Sequence, residues 1–327
     1  MTLISDYDSL LLDLDGTVWA GGEAIPGAVE AINASQLPAV YVTNNASRGP
    51  DEVSEKLKAI GLPVEPENVL TSAQAAITMA GEYLQPGDPV LIVGAPSFKD
   101  LVAQAGYLVV DSADENPKVV LHGHYPETGW AQLSEAALSI QRGAIYLASN
   151  LDSTLPMERG LYIGNGSMVA AVTSATGVRP ASAGKPEPAM FHQAATLLES
   201  KRPLVVGDRL NTDIAGGVAA KMDVLHVLTG VSGPLELIEA PVEYRPTFIA
   251  EDMSALSAEA STLVPGAQGG FTARVNGDDL LLERGDESST SIEALRTVLN
   301  VAWAMPEAPE YIRPMSAAAE AATANWW

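Results

Sequence analysis

The 327-residue sequence contains no cysteine. That excludes structural disulfides, thiolate metal sites and cysteine nucleophiles, and it leaves the redox compartment open. Basic charge is scarce: 18 lysines and arginines stand against 41 aspartates and glutamates, a formal net charge of −23. Nucleic acids and anionic membranes call for a basic patch, so neither is an expected partner. No apolar run approaches the roughly 20 residues of a spanning helix, and residues 1–8 lack the basic stretch followed by an apolar one that marks a secretory signal. The expectation is a cytoplasmic protein with no membrane partner. An acidic surface also repels phosphorylated small molecules, so a phosphate site here has to create its own positive field from a metal ion and a few well-placed cations.

What is present is an alternation of short apolar runs with helical patterns. Residues 9–14 read as a buried strand and 38–43 as a second. Residues 204–206 and 224–228 read as two more, separated by a Gly- and Ala-rich helix over about 211–220. Residues 51–60 place Val53, Leu57 and Ile60 at helical spacing and stop at Gly61. Such alternation predicts an α/β fold with a doubly wound, Rossmann-like parallel sheet. The alternation restarts between residues 75 and 181, with strand-like runs at 90–93, 119–122 and 145–148, and reads as a second α/β unit inserted into the first. Further on, the stretch PGAQGG (265–270) reads as a linker. It precedes a hairpin signal at Asn276-Gly277-Asp278-Asp279 and an amphipathic helix over 291–303, a small α+β module. The length accommodates this organisation: a core of residues 1–74 and 182–262, an inserted unit of 75–181 and an appended module of 263–327.

The strongest local signal is Asp13-Leu14-Asp15-Gly16-Thr17, placed where an apolar strand ends. Side chains two apart on a strand point the same way, so both carboxylates are expected to face one pocket at the end of the sheet where parallel strands bind ligands. Asp-Gly is also common in turns, but a turn has no use for a second aspartate behind an apolar run. Phosphoryl transfer needs a nucleophile, an acid for the leaving oxygen, a hard cation and donors for the phosphate oxygens. Asp13 and Asp15 can supply the first two. In Val205-Val206-Gly207-Asp208-Arg209-Leu210-Asn211-Thr212-Asp213, Asp208 fits as an oxygen ligand for Mg2+, with a turn or helix-capping aspartate as the plainer alternative. Asp213 reads as a partner that orients the ligands. Thr43 and Asn44 offer a hydroxyl and backbone N–H groups for a phosphate oxygen. Lys185, in Ala183-Gly184-Lys185-Pro186, offers an ammonium where glycine allows close backbone approach and proline begins a helix. Each of these alone also fits an ordinary surface loop; their joint occurrence in this order points to phosphate chemistry.

Together, Asp13 to Thr17, Thr43-Asn44-Asn45, Gly184-Lys185-Pro186 and Gly207-Asp208 through Asp213 resemble the four motifs of the haloacid dehalogenase superfamily, along most of residues 1–260. The insert between the second and third motifs resembles the α/β (type II) cap of its nitrophenylphosphatase-like branch. Ala148-Ser149-Asn150-Leu151-Asp152 and Gly164-Asn165-Gly166-Ser167-Met168 are similar to that branch as well. With its appended module, the whole chain resembles the glycerol 3-phosphate phosphatases of actinobacteria. The resemblance implies a phosphoric monoester hydrolase in which Asp13 is the nucleophile and Asp15 the general acid and then base. Asp13 and Asp208 would bind Mg2+ with the backbone carbonyl of Asp15, and Thr43, Asn44 and Lys185 would hold the phosphoryl group.

Dehalogenases of the superfamily do without the second aspartate, so Asp15 speaks for phosphorus chemistry. The implied substrate is a small phosphate monoester, glycerol 3-phosphate first, with phosphoglycolate, pyridoxal phosphate and sugar phosphates as alternatives. The loop 150–160 is expected to descend toward the pocket. Asp152, Thr154, Leu155, Glu158 and Arg159, with Arg48, are the candidates for reading the leaving group, although each also fits a solvated loop. A homodimer through the cap belongs to the same expectation. A reading of another class is a binding or regulatory protein with a vestigial phosphatase core. His122 and His124 have no third ligand spaced to join them and read as structural, and Trp303, Trp326 and Trp327 as buried in the module or an interface.

Overall fold

The computed structural model describes residues 2–157 and 159–326. The chain divides into two compact units, Met1–Ala39 with Leu198–Trp327, and Val40–Leu197.

In the first unit four parallel strands run in the order Phe248–Ala250, Asp223–Val227, Pro203–Gly207, Ser9–Leu12. Ser9–Leu12 and Pro203–Gly207 are buried along their whole length, as continuous apolar runs in a parallel sheet should be. Parallel pairing brings their carboxyl ends to one side, and there the polar residues begin. Leu12 stands opposite Val206, and the Asp13 N–H extends the ladder by one bond to Val206 O at 2.9 Å. The strand thus ends earlier than the expected residue 14, and Asp15 lies in the loop beyond it. Beyond Asp208 the expected helix over 211–220 is broken. A π-helical turn, Leu210–Ile214, leads into a short α-helix, Ala215–Ala219. Wide turns of this kind recur at functional sites, and this one folds Asp213 back so that its Oδ2 accepts the Arg209 N–H at 3.2 Å. The turn closes over Gly207, where an added Cβ would lie 2.3 Å from the Asp213 Cβ.

The rest of this unit is a small α+β module. Phe271–Asn276 and Asp279–Arg284 form an antiparallel hairpin, with Gly277 at φ 66° in its tight turn, as the Asn-Gly signal requires. The hairpin is joined by the strand Ile312–Pro314. The helix Ser291–Ala302 starts at a capping box of Thr290 and Glu293, and the helix Ala317–Thr323 is capped by Ser316. The stretch 265–270, expected as a linker, is a fastened joint. Gly266 N–H bonds to Arg296 O at 3.1 Å, and Gln268 N–H to Thr297 Oγ1 at 3.0 Å. The buried Arg296 guanidinium donates twice to Ile249 O, at 2.9 and 2.5 Å, so it occupies a carbonyl of the sheet's edge strand. Trp303 Nε1 donates to Leu237 O at 2.9 Å, and Arg245 lies over the Trp303 ring. Trp326 is buried and donates to Ser291 Oγ; Trp327 lies outside the described residues.

The second unit begins within the strand Ala39–Thr43, which pairs in parallel with Val69–Thr71. Between them runs the helix Pro50–Ala59, burying Val53 and Leu57. A five-stranded parallel sheet follows in the order Ala181–Ser182, Ile145–Ala148, Val119–His122, Pro89–Val93, Leu108–Val110. Its core joins Leu91, Val93, Val120 and Tyr146 to Ile140 and Val169, which come from the helices Trp130–Gln141 and Asn165–Thr176. Residues 150–160, expected as a loop, contribute to an antiparallel hairpin, Thr154–Met157 with Gly160–Ile163. Among the described residues no helix is long and apolar enough to cross a membrane.

Candidate active site

Asp13, Asp208 and Asp213 each bring a carboxylate oxygen within 4.8 Å of the others. Asp208 and Asp213 are almost wholly buried, at 1% and 2% exposure, and carboxylates gathered in this way repel one another unless a cation joins them. The donor set is all hard oxygen, which suits Mg2+ and not a thiophilic metal. Glycines let the surrounding backbone close on it. An added Cβ would lie 2.5 Å from Asp208 Oδ2 at Gly16 and 1.9 Å from it at Gly230. The residues therefore fit a magnesium site. Asp213, expected to stand behind the ligands, shares the cluster with them.

Asp208 is held from several directions. Its Oδ2 accepts the Val231 N–H at 2.6 Å and its Oδ1 the Thr17 hydroxyl at 3.3 Å. Its carbonyl accepts the Ser232 N–H at 3.1 Å. The loop 229–232 that supplies these donors is itself tied down. Thr229 Oγ1 donates to Gly16 O at 2.6 Å, and His226 Nε2 lies 3.0 Å from Ser232 O. A carbonyl only accepts, so this nitrogen carries the proton. Burial pushes the His226 imidazole down to about 4 and keeps it neutral at ordinary pH.

Asp15 behaves differently from Asp13. Its Oδ1 accepts the indole N–H of the buried Trp19 at 2.8 Å, and its carboxylate is not among the clustered three. The loop from Asp15 to Trp19 turns at Gly16, φ +96°, a left-handed conformation that favours glycine. The two carboxylates thus leave the strand end with separate surroundings, and Asp15 keeps its backbone carbonyl as a candidate ligand.

In the second unit, Thr43 ends its strand almost fully buried, with Oγ1 accepting the Asn45 N–H at 3.1 Å. The Asn44 side chain is fully engaged. Its Oδ1 accepts the Lys185 N–H at 2.8 Å, while Nδ2 donates to Lys185 O at 3.0 Å and to Asp152 Oδ2 at 3.1 Å. What Asn44 can offer a phosphate is its backbone N–H. Lys185 is 3% exposed, and its ammonium donates to Val42 O at 3.0 Å. Pro186 does not begin a helix as expected. It follows a cis peptide bond in a turn closed by Glu187 N–H to Gly184 O at 3.0 Å, and the helix Ala189–Leu197 starts later.

Among the specificity candidates, Asp152 is bound to Asn44, and Thr154 and Leu155 lie half-buried on the first strand of the hairpin. Arg159 is exposed at its turn, and Glu158 lies outside the described residues. Arg48 is engaged at the surface with Glu52 at 3.1 Å. His122 is buried beside the Tyr146 hydroxyl at 2.8 Å, with its imidazole pushed down to about 4 by burial. His124 Nδ1 lies 3.1 Å from Ser47 Oγ. Neither histidine joins a metal-binding group among the described residues. Sequence reasoning missed Trp19, the hold of Thr17 on Asp208, His226 and the loop 229–232. A usable signal existed for the loop: Thr229-Gly230-Val231-Ser232 places a glycine between hydroxyl residues just past the carboxyl end of a parallel strand.

Residues 10–108 match the family model for haloacid dehalogenase-like hydrolases, and residues 182–256 match a second HAD-hydrolase-like model. The chain is 41% identical over 323 residues to the D-glycerol 3-phosphate phosphatase of Mycobacterium tuberculosis, covering 96% of this chain and 91% of that protein. It is 35% identical over 256 residues to an acid sugar phosphatase of Staphylococcus saprophyticus, covering 77% of this chain and 97% of that protein. Its structure is similar to the crystal structure of a glycerol phosphate phosphatase from Mycobacterium tuberculosis in complex with magnesium. There the TM-score is 0.94 at 39% identity, over 100% of this chain and 98% of the other.

Proposed function

Because the chain belongs to the haloacid dehalogenase-like hydrolases, we propose that it is a magnesium-dependent phosphatase that hydrolyses glycerol 3-phosphate through an aspartyl-phosphate on Asp13. The observation that carries the proposal is the gathering of Asp13, Asp208 and Asp213 within 4.8 Å, with Asp15 held separately by Trp19. The Asp13 carboxylate attacks phosphorus, and the departing glycerol oxygen takes a proton from Asp15. Asp15, now a carboxylate, takes a proton from the water that attacks the aspartyl-phosphate. Inorganic phosphate leaves and Asp13 is regenerated. Magnesium, held by Asp13 and Asp208 with the Asp15 carbonyl and steadied by Asp213, supplies charge compensation for the phosphoryl oxygens. The Thr43 hydroxyl, the Asn44 backbone N–H and the Lys185 ammonium orient those oxygens.

The mycobacterial phosphatase matches nearly the whole chain, whereas the staphylococcal sugar phosphatase matches about three quarters of it, which favours glycerol 3-phosphate over sugar phosphates. Residues 1–74 and 182–262 act as the catalytic core, 75–181 as a cap and 263–327 as an appended module. Within the cap, Asp152, Thr154, Leu155 and Arg159 face the choice of leaving group. A homodimer through the cap would use the exposed Leu161 and Ile163 of its hairpin. A cytoplasmic location goes with the same reading.

The test is phosphate release with magnesium from glycerol 3-phosphate, phosphoglycolate, pyridoxal phosphate, hexose phosphates and an aryl phosphate. Glycerol 3-phosphate should give the highest kcat/KM. A preference for a hexose phosphate would transfer the assignment to the sugar phosphatases, and no release from any of them would favour a vestigial core with a binding role.

A further inference from the structure

We infer that Asn165, which lies outside all four motifs, is a positioning residue for Lys185, acting through Asn150 and Asn44. The inference rests on the reading of Lys185 as a phosphate-binding group. Asn165 opens the helix Asn165–Thr176 and is 1% exposed. Its Nδ2 donates to Asn150 O at 2.7 Å and to His122 O at 3.2 Å, tying together the carboxyl ends of two neighbouring strands. Asn150, 4% exposed, passes the constraint on. Its Nδ2 donates to Asn44 O at 2.7 Å, and its Oδ1 accepts the Asp152 N–H at 3.2 Å. Asn44 completes the chain by pairing its side-chain amide with both backbone polar groups of Lys185.

Asn165 and Asn150 are buried and Asn44 is half-buried. A buried amide N–H is costly unless it is bonded, and the Nδ2 group of each of the three is bonded onward, which favours one arrangement of the series. The backbone is packed to match. An added Cβ at Gly184 would lie 2.4 Å from Ser149 O and 2.7 Å from Asn44 Oδ1. At Gly166 it would lie 2.2 Å from Leu151 O, and at Gly164 2.3 Å from Asp152 O. Residues 149–152 are thus gripped on one side by the start of the Asn165–Thr176 helix and on the other by Gly184, the neighbour of Lys185. Asp152 adds a second hold on the Asn44 amide, and the Lys185 ammonium bonds to Val42 O, two residues before Asn44. An apolar side chain of similar volume at position 165 would fill the space without fixing Asn150, which is why an amide is informative there.

The test is a double-mutant cycle in the full chain with an aryl phosphate, reading kcat, KM, the inhibition constant for inorganic phosphate and the magnesium concentration for half-activation. N165A should lower kcat/KM and weaken phosphate inhibition about tenfold, as loss of a group supporting a ligand-binding residue does, with the magnesium requirement unchanged. In a K185A background the same substitution should have less than about twofold effect, because the residue it acts through is gone. Equal losses in both backgrounds, or wild-type kinetics in N165A, would overturn the inference. If N165A does not fold, N150A removes the next amide and carries the same cycle with the same outcomes. A K185A enzyme with normal kinetics and normal phosphate inhibition would instead sink the reading of Lys185 on which the inference stands.

Discussion

The indole Nε1 of Trp19 donates a hydrogen bond to Asp15 Oδ1 across 2.8 Å. Trp19 is buried, so the bond fixes the carboxylate's direction where solvent would otherwise leave it free. A general acid matters most when the leaving oxygen is a poor leaving group. W19F, which keeps the ring and loses the donor, should therefore cut turnover of an alkyl phosphate about tenfold while leaving an aryl phosphate nearly unchanged. Equal losses on both substrates would show that Trp19 serves the fold and not the proton transfer.

D13N should remove turnover by at least about a thousandfold while the protein stays folded, since no other carboxylate of the cluster is assigned to attack phosphorus. D15N should lose about a hundredfold or more, in the range of general acid–base contributions, with its magnesium half-activation unaltered because only its carbonyl is a candidate ligand. Titrating both variants with magnesium while following phosphate release separates the roles. Retention of a few per cent of activity by D13N would end the aspartyl-phosphate scheme.

Chelation should silence the enzyme and added magnesium should restore it, because Asp13, Asp208 and Asp213 cannot sit together beside a phosphate without a cation. Calcium, with its looser coordination, should compete without supporting turnover. The glycine cradle gives a sharper check. G230A puts a methyl group where Asp208 Oδ2 now lies, so it should raise the magnesium concentration for half-activation at least about tenfold. A normal magnesium dependence in a folded G230A protein would mean that Asp208 does not bind the ion.

Much of this was legible in the sequence. Asp13 to Thr17 and Gly207 to Asp213 are local patterns behind apolar runs, and the strand pairing alone puts their carboxylates at one sheet end. Thr43 was legible as the polar residue that ends an apolar run. What escaped depends on contacts between segments distant in sequence. That Asn44 spends its side chain on residue 185, that Val231 donates to Asp208, and that Arg296 reaches the carbonyl of Ile249 are products of folding that no local spacing encodes. The Gly-rich stretch 265–270 looked like a linker because glycines mark loops, yet its backbone bonds to the helix Ser291–Ala302 make it rigid. The hairpin at 154–163 was hidden because Thr154-Leu155-Pro156 carries proline, which demotes a strand reading, and the strand that holds it pairs on one side only.

Two buried histidines set a pH dependence of stability. His122 and His226 are pushed from 6.5 to about 4 by burial, so between those values the unfolded chain binds protons that the folded chain refuses. Their contribution is fully present above about pH 6.5 and is lost as pH falls toward 4, at about 3 kcal/mol each when the fall is complete. The thermal midpoint should drop between pH 7 and 5, and H122N should show a shallower drop whatever its midpoint at pH 7. An identical slope in H122N would remove His122 from this account.

The appended module should be a stabilising part of the first unit and not a catalytic one. Every group assigned to chemistry precedes Leu263, but the Arg296 guanidinium occupies Ile249 O and the Trp303 indole occupies Leu237 O. Removing residues 264–327 leaves both carbonyls without those donors. R296A isolates one part of this loss. A hydrogen bond from a charged group to a buried carbonyl is worth about 2–3 kcal/mol, so R296A should lower the denaturation midpoint measurably while its kcat on an aryl phosphate, per folded molecule, stays at the wild-type value. The truncated chain should be less stable still, and active only to the extent that it remains folded. A truncated protein with an unchanged midpoint would show that the module is loosely hung on the core. One that is folded yet inactive would show that the module completes the site, and the division between reacting core and supporting module would have to be abandoned.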